Sequence, residues 1–256
     1  MVQKSNKIDK LVNNLNPRQK QAVLHNHSKS GPLLILAGAG SGKTAVATRR
    51  ITYLLITGAE PEAILALTFT KKAAEEMKER AVSLYEEFMG EPTEAVHNMH
   101  ICTFHSLCLA LLKESLNGKS NFSRLGFKRA PDLLHEKDCL KILGALYSGK
   151  FKNRSLPNID EALYAIDKFV SFHGSPQVLK DSLPAEEQTL NIIELWECYI
   201  KEKLKCTGID FSDMISLCIK LLEEHVEVLE FYRERFKYIL IDEYQDTNIP
   251  QYKLSR

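Results

Sequence analysis

The chain has 256 residues, enough for two compact units each with a sizeable core, and its 34 Lys and Arg against 33 Asp and Glu leave a formal charge of +1. A charge this close to zero excludes a global polycationic field, so any contact with nucleic acid must come from a local patch. The six cysteines (Cys102, Cys108, Cys139, Cys198, Cys206, Cys218) lie scattered with no Cys-x-x-Cys pair, and no apolar N-terminal stretch resembles a signal peptide or a membrane span; a reduced, intracellular, soluble chain is expected.

In chain order, the first predicted strand is the apolar run Leu33-Leu34-Ile35-Leu36. It leads into Ala37-Gly38-Ala39-Gly40-Ser41-Gly42-Lys43-Thr44, then a helical pattern from Ala45 to Thr57 closed by Gly58. Small residues between a buried strand and a helix N-terminus make a phosphate cradle. Successive backbone N–H groups close around phosphate oxygens, Lys43 adds a point charge, and Thr44 can reach Mg²⁺. The strict pattern has Gly where Ala37 stands; a glycine-rich turn that holds no nucleotide is the plain alternative. A second strand follows over Ile64–Thr68, a helix over Lys71–Met89 closed by Gly90, and a short strand over His100–Thr103. This alternation predicts an α/β fold with a parallel sheet covered by helices. On the helix from Lys71, Ala73, Ala74, Met77, Ala81, Leu84, Tyr85 and Phe88 share one face and read as core. Cys102, His105 and Cys108 straddle a strand end and a helix start, and three candidates in that setting argue against zinc.

From Leu107 to about His225 the signals turn helical, broken at Asn117-Gly118, Ser148-Gly149-Lys150 and His173-Gly174-Ser175-Pro176. Residues 107–225 are therefore expected to form an inserted all-helical domain between 1–106 and 226–256. Its longest helix is predicted to begin near Pro184, with Leu190, Ile193, Trp196, Ile200 and Leu204 at helical spacing and Trp196 in the core. Tyr238-Ile239-Leu240-Ile241 returns to the buried-strand signature and ends in Asp242-Glu243-Tyr244-Gln245-Asp246. Two acids at the tip of such a strand complement the phosphate cradle: Asp242 can hold Mg²⁺ through water, and Glu243 can orient and deprotonate an attacking water. Alone, this tip reads equally as a solvated acidic turn; beside Lys43-Thr44 it reads as the second half of a nucleotide site.

These motifs resemble, essentially end to end, the superfamily 1A DNA helicases of the UvrD, Rep and PcrA type. Leu15-Asn16-Pro17-Arg18-Gln19-Lys20-Gln21-Ala22-Val23 looks like the family's Q motif, which makes Gln19 the adenine-selective candidate. Residues 37–44 look like motif I, Leu67-Thr68-Phe69-Thr70-Lys71-Lys72-Ala73-Ala74 like motif Ia, Cys102-Thr103-Phe104-His105-Ser106 like motif Ib, and residues 241–248 like motif II; Ile209-Asp210-Phe211-Ser212-Asp213 resembles the segment that ends the insertion. The resemblance implies a RecA-like P-loop sheet with a helical insertion, ATP and Mg²⁺ as cofactors, and single-stranded DNA and single-strand/duplex junctions as partners. It places the DNA track at Phe69, Thr70, Lys71, Thr103 and His105. The residue types agree: an aromatic face for a base, neutral donors (Thr68 among them) and a lysine for phosphates. Phe69 as core at a strand end and His105 as a helix cap are the structural alternatives. Basic residues in the insertion's loops (Lys119, Arg124, Lys128, Arg129, Lys150, Lys152, Arg154) are either duplex contacts or solvated charges.

Ala45 stands where the family often carries Arg, and Lys71 where Asn is commoner. The chain ends at Arg256, inside what reads as the helix after motif II. The resemblance implies that motifs III to VI lie in a C-terminal half whose arginines stabilise charge on the transferring phosphoryl group, an effect worth roughly 10³ to 10⁵ in rate. It also implies that the motif III strand lies between those of motifs I and II, so the sheet is expected to be incomplete, with exposed edges. The function expected is that of the N-terminal ATP-binding portion of a 3′ to 5′ ATP-dependent DNA helicase. A short, non-hydrolysing regulatory module and part of a helicase-nuclease subunit are the alternatives.

Overall fold

The computed structural model describes residues 2–38, 40–173, 176–182 and 187–256; Ala39 and Pro184 lie outside them. The chain divides into two compact units, Met1–Phe104 with Glu230–Gln245, and His105–Leu229 with Asp246–Arg256.

The first unit is built on three parallel strands, β1 (Ile64–Thr68), β2 (His100–Thr103) and β3 (Tyr238–Ile241), in the order β2-β1-β3. Every residue of the central strand β1 is buried, which its unbroken apolar run requires. Pairing runs from Leu65 opposite His100 to Thr68 opposite Thr103, and from Ile64 opposite Tyr238 to Leu67 opposite Ile241. The register therefore gathers Thr68, Thr103 and the Asp242 end of β3 at one carboxyl edge, where open α/β sheets bind ligands. Helices Lys43–Thr57 and Lys71–Met89 supply Ile51, Leu54, Leu55, Ala74, Met77 and Ala81 to the core against Ile64 and Ala66. Gly58, at φ 102, ends the first helix and donates its N–H to the carbonyls of Leu54 and Leu55.

Two expectations about the sheet are corrected. Leu33–Leu36 forms no strand: its backbone joins no ladder, and Leu34 and Leu36 are 61% and 87% exposed. The expected buried strand β3 is only half covered, with Ile239 49% exposed. The cause is common to both. A buried strand needs a hydrogen-bonded neighbour on each side, and none of the described strands pairs with 33–36 or with the outer side of β3. Such edges favour self-association, so Leu36→Lys with Ile239→Lys should shift the chain toward monomer in light scattering at micromolar concentration. An unchanged particle size would show that these edges are not what associates.

The second unit buries Cys139, Leu143, Ala162, Ile166, Leu179, Ile193, Trp196 and Tyr199 from helices Glu136–Ser148, Ile159–His173, Pro176–Ser182 and Glu187–Lys205. Trp196 is in this core as expected, whereas Leu190 and Leu204, expected on the same stripe, are 45% and 56% exposed. The face that is buried continues instead through Tyr199 and Lys203. The unit is not wholly helical. Asn117 and Gly118, at φ 53 and 72, turn a two-residue hairpin, and Asp132–Leu133 pairs in parallel with Gly208–Ile209. No described helix is long and apolar enough to cross a membrane.

Candidate nucleotide and nucleic-acid site

The phosphate loop owes its shape to two left-handed glycines, Gly40 at φ 73 and Gly42 at φ 86, the latter being the N-cap of helix Lys43–Thr57. Ser41 closes the turn, its N–H and Oγ both donating to the Gly38 carbonyl, at 3.3 and 2.7 Å. The helix bonding begins with Val46 N–H to Gly42 O, so the N–H groups of Lys43, Thr44 and Ala45 have no partner among the described residues. Three such donors and the helix dipole are what a phosphate group takes up. Lys43 Nζ donates to the Ala37 carbonyl at 3.2 Å and lies 3.5 Å from Glu243 Oε2. The lysine of the loop and the acid at the end of β3, far apart in the chain, therefore meet.

Asp242 continues the β3 ladder, its N–H donating to the Leu67 carbonyl at 2.9 Å, and its Oδ1 accepts the Glu243 N–H at 3.1 Å. Burial lifts the Asp242 carboxyl above the usual carboxylate range, opposed by that hydrogen bond and by Lys43. Glu243 has φ 49, a non-glycine residue in the left-handed region, which costs on the order of 1–2 kcal/mol. A hydrogen bond from Gln245 Nε2 holds its carboxyl below the usual range and keeps it an ionised acceptor. Hard oxygen donors, the Thr44 hydroxyl and a half-buried Asp242 carboxylate short of compensating charge, fit Mg²⁺. Gln245 belongs to the motif II segment, which in the sequence gives it no role of its own; its hold on the Glu243 carboxyl comes from the structure.

Gln19 sits at the third position of helix Pro17–Val23, in a capping box with Asn16, and its Nε2 donates to the Ser41 carbonyl at 3.1 Å. Neither the capping box nor the contact with the phosphate loop is part of the sequence reading of Gln19; both come from the structure.

At the carboxyl edge, Phe69 is half-buried with its ring centroid 5.9 Å from that of the buried Phe104. Thr70 caps helix Lys71–Met89, accepting the Ala73 N–H at 3.1 Å, and so keeps its own hydroxyl hydrogen for a further acceptor. Lys71 is exposed. Thr68 and Thr103 are buried, and the Thr68 hydroxyl donates to the Thr70 carbonyl, which withdraws Thr68 from the expected set of phosphate donors. His105, in the second unit, is the second residue of helix Phe104–Lys113 and not its cap. Its ring packs edge-on against Phe211 at 6.1 Å, and burial lowers its pKa, favouring the neutral ring. Burial pushes the Cys102 thiol up to about 11, and no group of three or more metal-ligating side chains forms among the described residues. Of the basic loop residues, Arg124 pairs with Glu227, Arg129 with Asp132, and Lys150 and Arg154 with Glu194. Arg124, with its side chain 8% exposed, is thereby removed from any nucleic-acid surface.

Residues 15–256 match the family described as UvrD/REP helicase N-terminal domain. The chain is 37% identical over 262 residues to the ATP-dependent DNA helicase UvrD1 of Mycobacterium tuberculosis, and 37% identical over 256 residues to the ATP-dependent DNA helicase PcrA of Bacillus subtilis. It is 36% identical over 254 residues to PcrA of Staphylococcus aureus. These alignments cover 97%, 96% and 95% of the chain, which spans 31% of the length of each relative.

Proposed function

We propose, because the chain belongs to the UvrD/REP helicase N-terminal domain family, that it is the nucleotide-binding N-terminal portion of an ATP-driven DNA helicase moving 3′ to 5′ on single-stranded DNA. In this reading residues 1–106 and 226–256 form the ATP-binding domain and residues 107–225 its helical insertion, a division by sequence that differs from the compact units in that 246–256 fall with the helical residues. Residues 37–44 cradle the phosphates, Gln19 reads the adenine, and Thr44 and Asp242 hold Mg²⁺. Glu243 takes the proton of the attacking water. Phe69, Thr70, Lys71, Thr103 and His105 contact the DNA, with single-strand/duplex junctions as the working substrate.

The observation that supports this best is the 3.5 Å approach of Lys43 to Glu243, which joins a phosphate-binding charge to an ionised base. Phosphoryl transfer asks the protein mainly for positioning and charge. Arginines from a second lobe, in the C-terminal half of the parent helicase, complete the charge stabilisation, and closing and opening of two lobes steps the DNA. The 256-residue chain should therefore bind Mg²⁺-ATP with no turnover stimulated by single-stranded DNA, while the complete protein shows strong stimulation. In the complete protein Glu243→Gln should keep nucleotide affinity within about threefold and lower hydrolysis by roughly 10²-fold or more. A chain that binds no nucleotide, or a complete protein indifferent to DNA, would sink the reading.

A further inference from the structure

Gln19 does two jobs with one amide. Its Oε1 accepts the Asn16 N–H at 3.0 Å, fixing the side chain to the start of its own helix, while its Nε2 donates to the Ser41 carbonyl at 3.1 Å. Ser41 lies in the turn between the two left-handed glycines, and its own N–H and hydroxyl both go to Gly38. Through that carbonyl, Gln19 ties the turn to helix Pro17–Val23. Gly42 shows how close the contact is: a Cβ there would stand 3.2 Å from Gln19 Nε2, besides meeting the strain of φ 86. Glycine at 42 thus serves both the turn and the amide beside it.

We infer that Gln19 is a positioning residue for the phosphate loop, setting the affinity for the polyphosphate whatever base is attached. The inference rests on the nucleotide-binding reading and deepens it. The two roles of the amide are compatible by valence, since Nε2 has a second hydrogen and Oε1 a second lone pair for a base edge. The N–H groups of Lys43, Thr44 and Ala45, without a partner among the described residues, bind phosphate well only when their directions converge, and the Ser41 carbonyl is the fixed point that holds the turn before them.

The test uses the whole 256-residue chain and three probes, each with Mg²⁺: ATP, GTP and inorganic tripolyphosphate. Gln19→Met keeps length and neutrality and removes the donor, and Gln19→Ala repeats the loss with a smaller side chain. Asn16→Ala weakens the same helix start but leaves the Ser41 contact in place. The expected result is a rise in Kd of roughly three- to tenfold for both Gln19 variants, equal for all three probes, with Asn16→Ala within twofold of the wild type. A merely structural defect would weaken Asn16→Ala as well, and that outcome overturns the inference. A loss confined to ATP makes Gln19 a base reader alone and also overturns it. Should the wild-type chain bind none of the probes, the nucleotide-binding reading itself fails.

Discussion

Replacing Lys43 with Ala should weaken Mg²⁺-ATP binding by roughly 10- to 100-fold, the range of a lost charge-assisted hydrogen bond, and should abolish hydrolysis by the complete protein. Lys43 is in place before any ligand arrives: its side chain is 23% exposed and held by the Ala37 carbonyl and Glu243, so little rotamer freedom is lost on binding. Removing it subtracts a cation and also leaves the ionised Glu243 facing the phosphates without a counter-charge. The second effect separates two variants. Lys43→Ala with Glu243→Gln should recover part of the lost affinity, because it removes the repulsion while the missing donor stays missing. Calorimetric titration of wild type, both single variants and the double variant measures this coupling directly. Unchanged affinity in Lys43→Ala would mean that the turn at 37–44 is not a phosphate cradle.

What could be read from the sequence was what depends on neighbours along the chain. Gly40, Gly42 and Lys43 dictate their turn locally, and Gly58 and Gly90 end their helices with left-handed backbones, φ 102 and 94, because each turn closes on its own preceding carbonyls. Asp242-Glu243 was legible as a strand tip because β3 keeps its apolar run. The failures have one physical origin: burial is decided by what lies across, and a single chain does not say what that is. Leu33–Leu36 has the letters of a buried strand and lies exposed, since no described strand pairs with it. Thr68 has the letter of a phosphate donor and gives its hydrogen to Thr70. Arg124 reads as a loop charge and is buried against Glu227. The Gln19–Ser41 contact spans two elements whose juxtaposition no local pattern encodes.

Lys203 is the largest such surprise, and Lys203→Met should destabilise the helical unit by about 3–5 kcal/mol, the usual cost of removing one partner from a buried ion pair. In sequence it is one more charge near the end of a long helix; in the structure its side chain is 5% exposed, with Nζ 2.6 Å from both Asp210 and Asp213 and 4.5 Å from the centre of the Tyr199 ring. Asp210 also caps helix Phe211–Glu224 and accepts the Tyr199 hydroxyl at 2.9 Å, so the cluster fixes the helix start as well as the charge. Burial alone would lower the Lys203 pKa, but the two carboxylates outweigh it and hold the ammonium above the ordinary lysine range. Burial likewise opposes the charged form of Asp210, and Lys203 overcomes it, leaving Asp210 below the ordinary range. The stabilising contributions follow in sign: that of Asp210 is present above its unfolded value and fades as pH falls through the lowered folded one, and that of Lys203 is complete below its unfolded value and fades as pH rises through the raised one. The variant behaves differently. Without the ammonium, Asp210 and Asp213 are two adjacent carboxylates, Asp213 already lifted above the ordinary range by burial, so at least one binds a proton in the fold more readily than in the unfolded chain. That penalty is full well above the raised value and is relieved as pH falls through it. In urea titrations the gap between wild type and Lys203→Met should therefore be largest near pH 7 and narrow toward pH 4.5. A gap that stays constant across that interval would mean that lost packing of the lysine stem, and not the uncompensated carboxylates, carries the destabilisation.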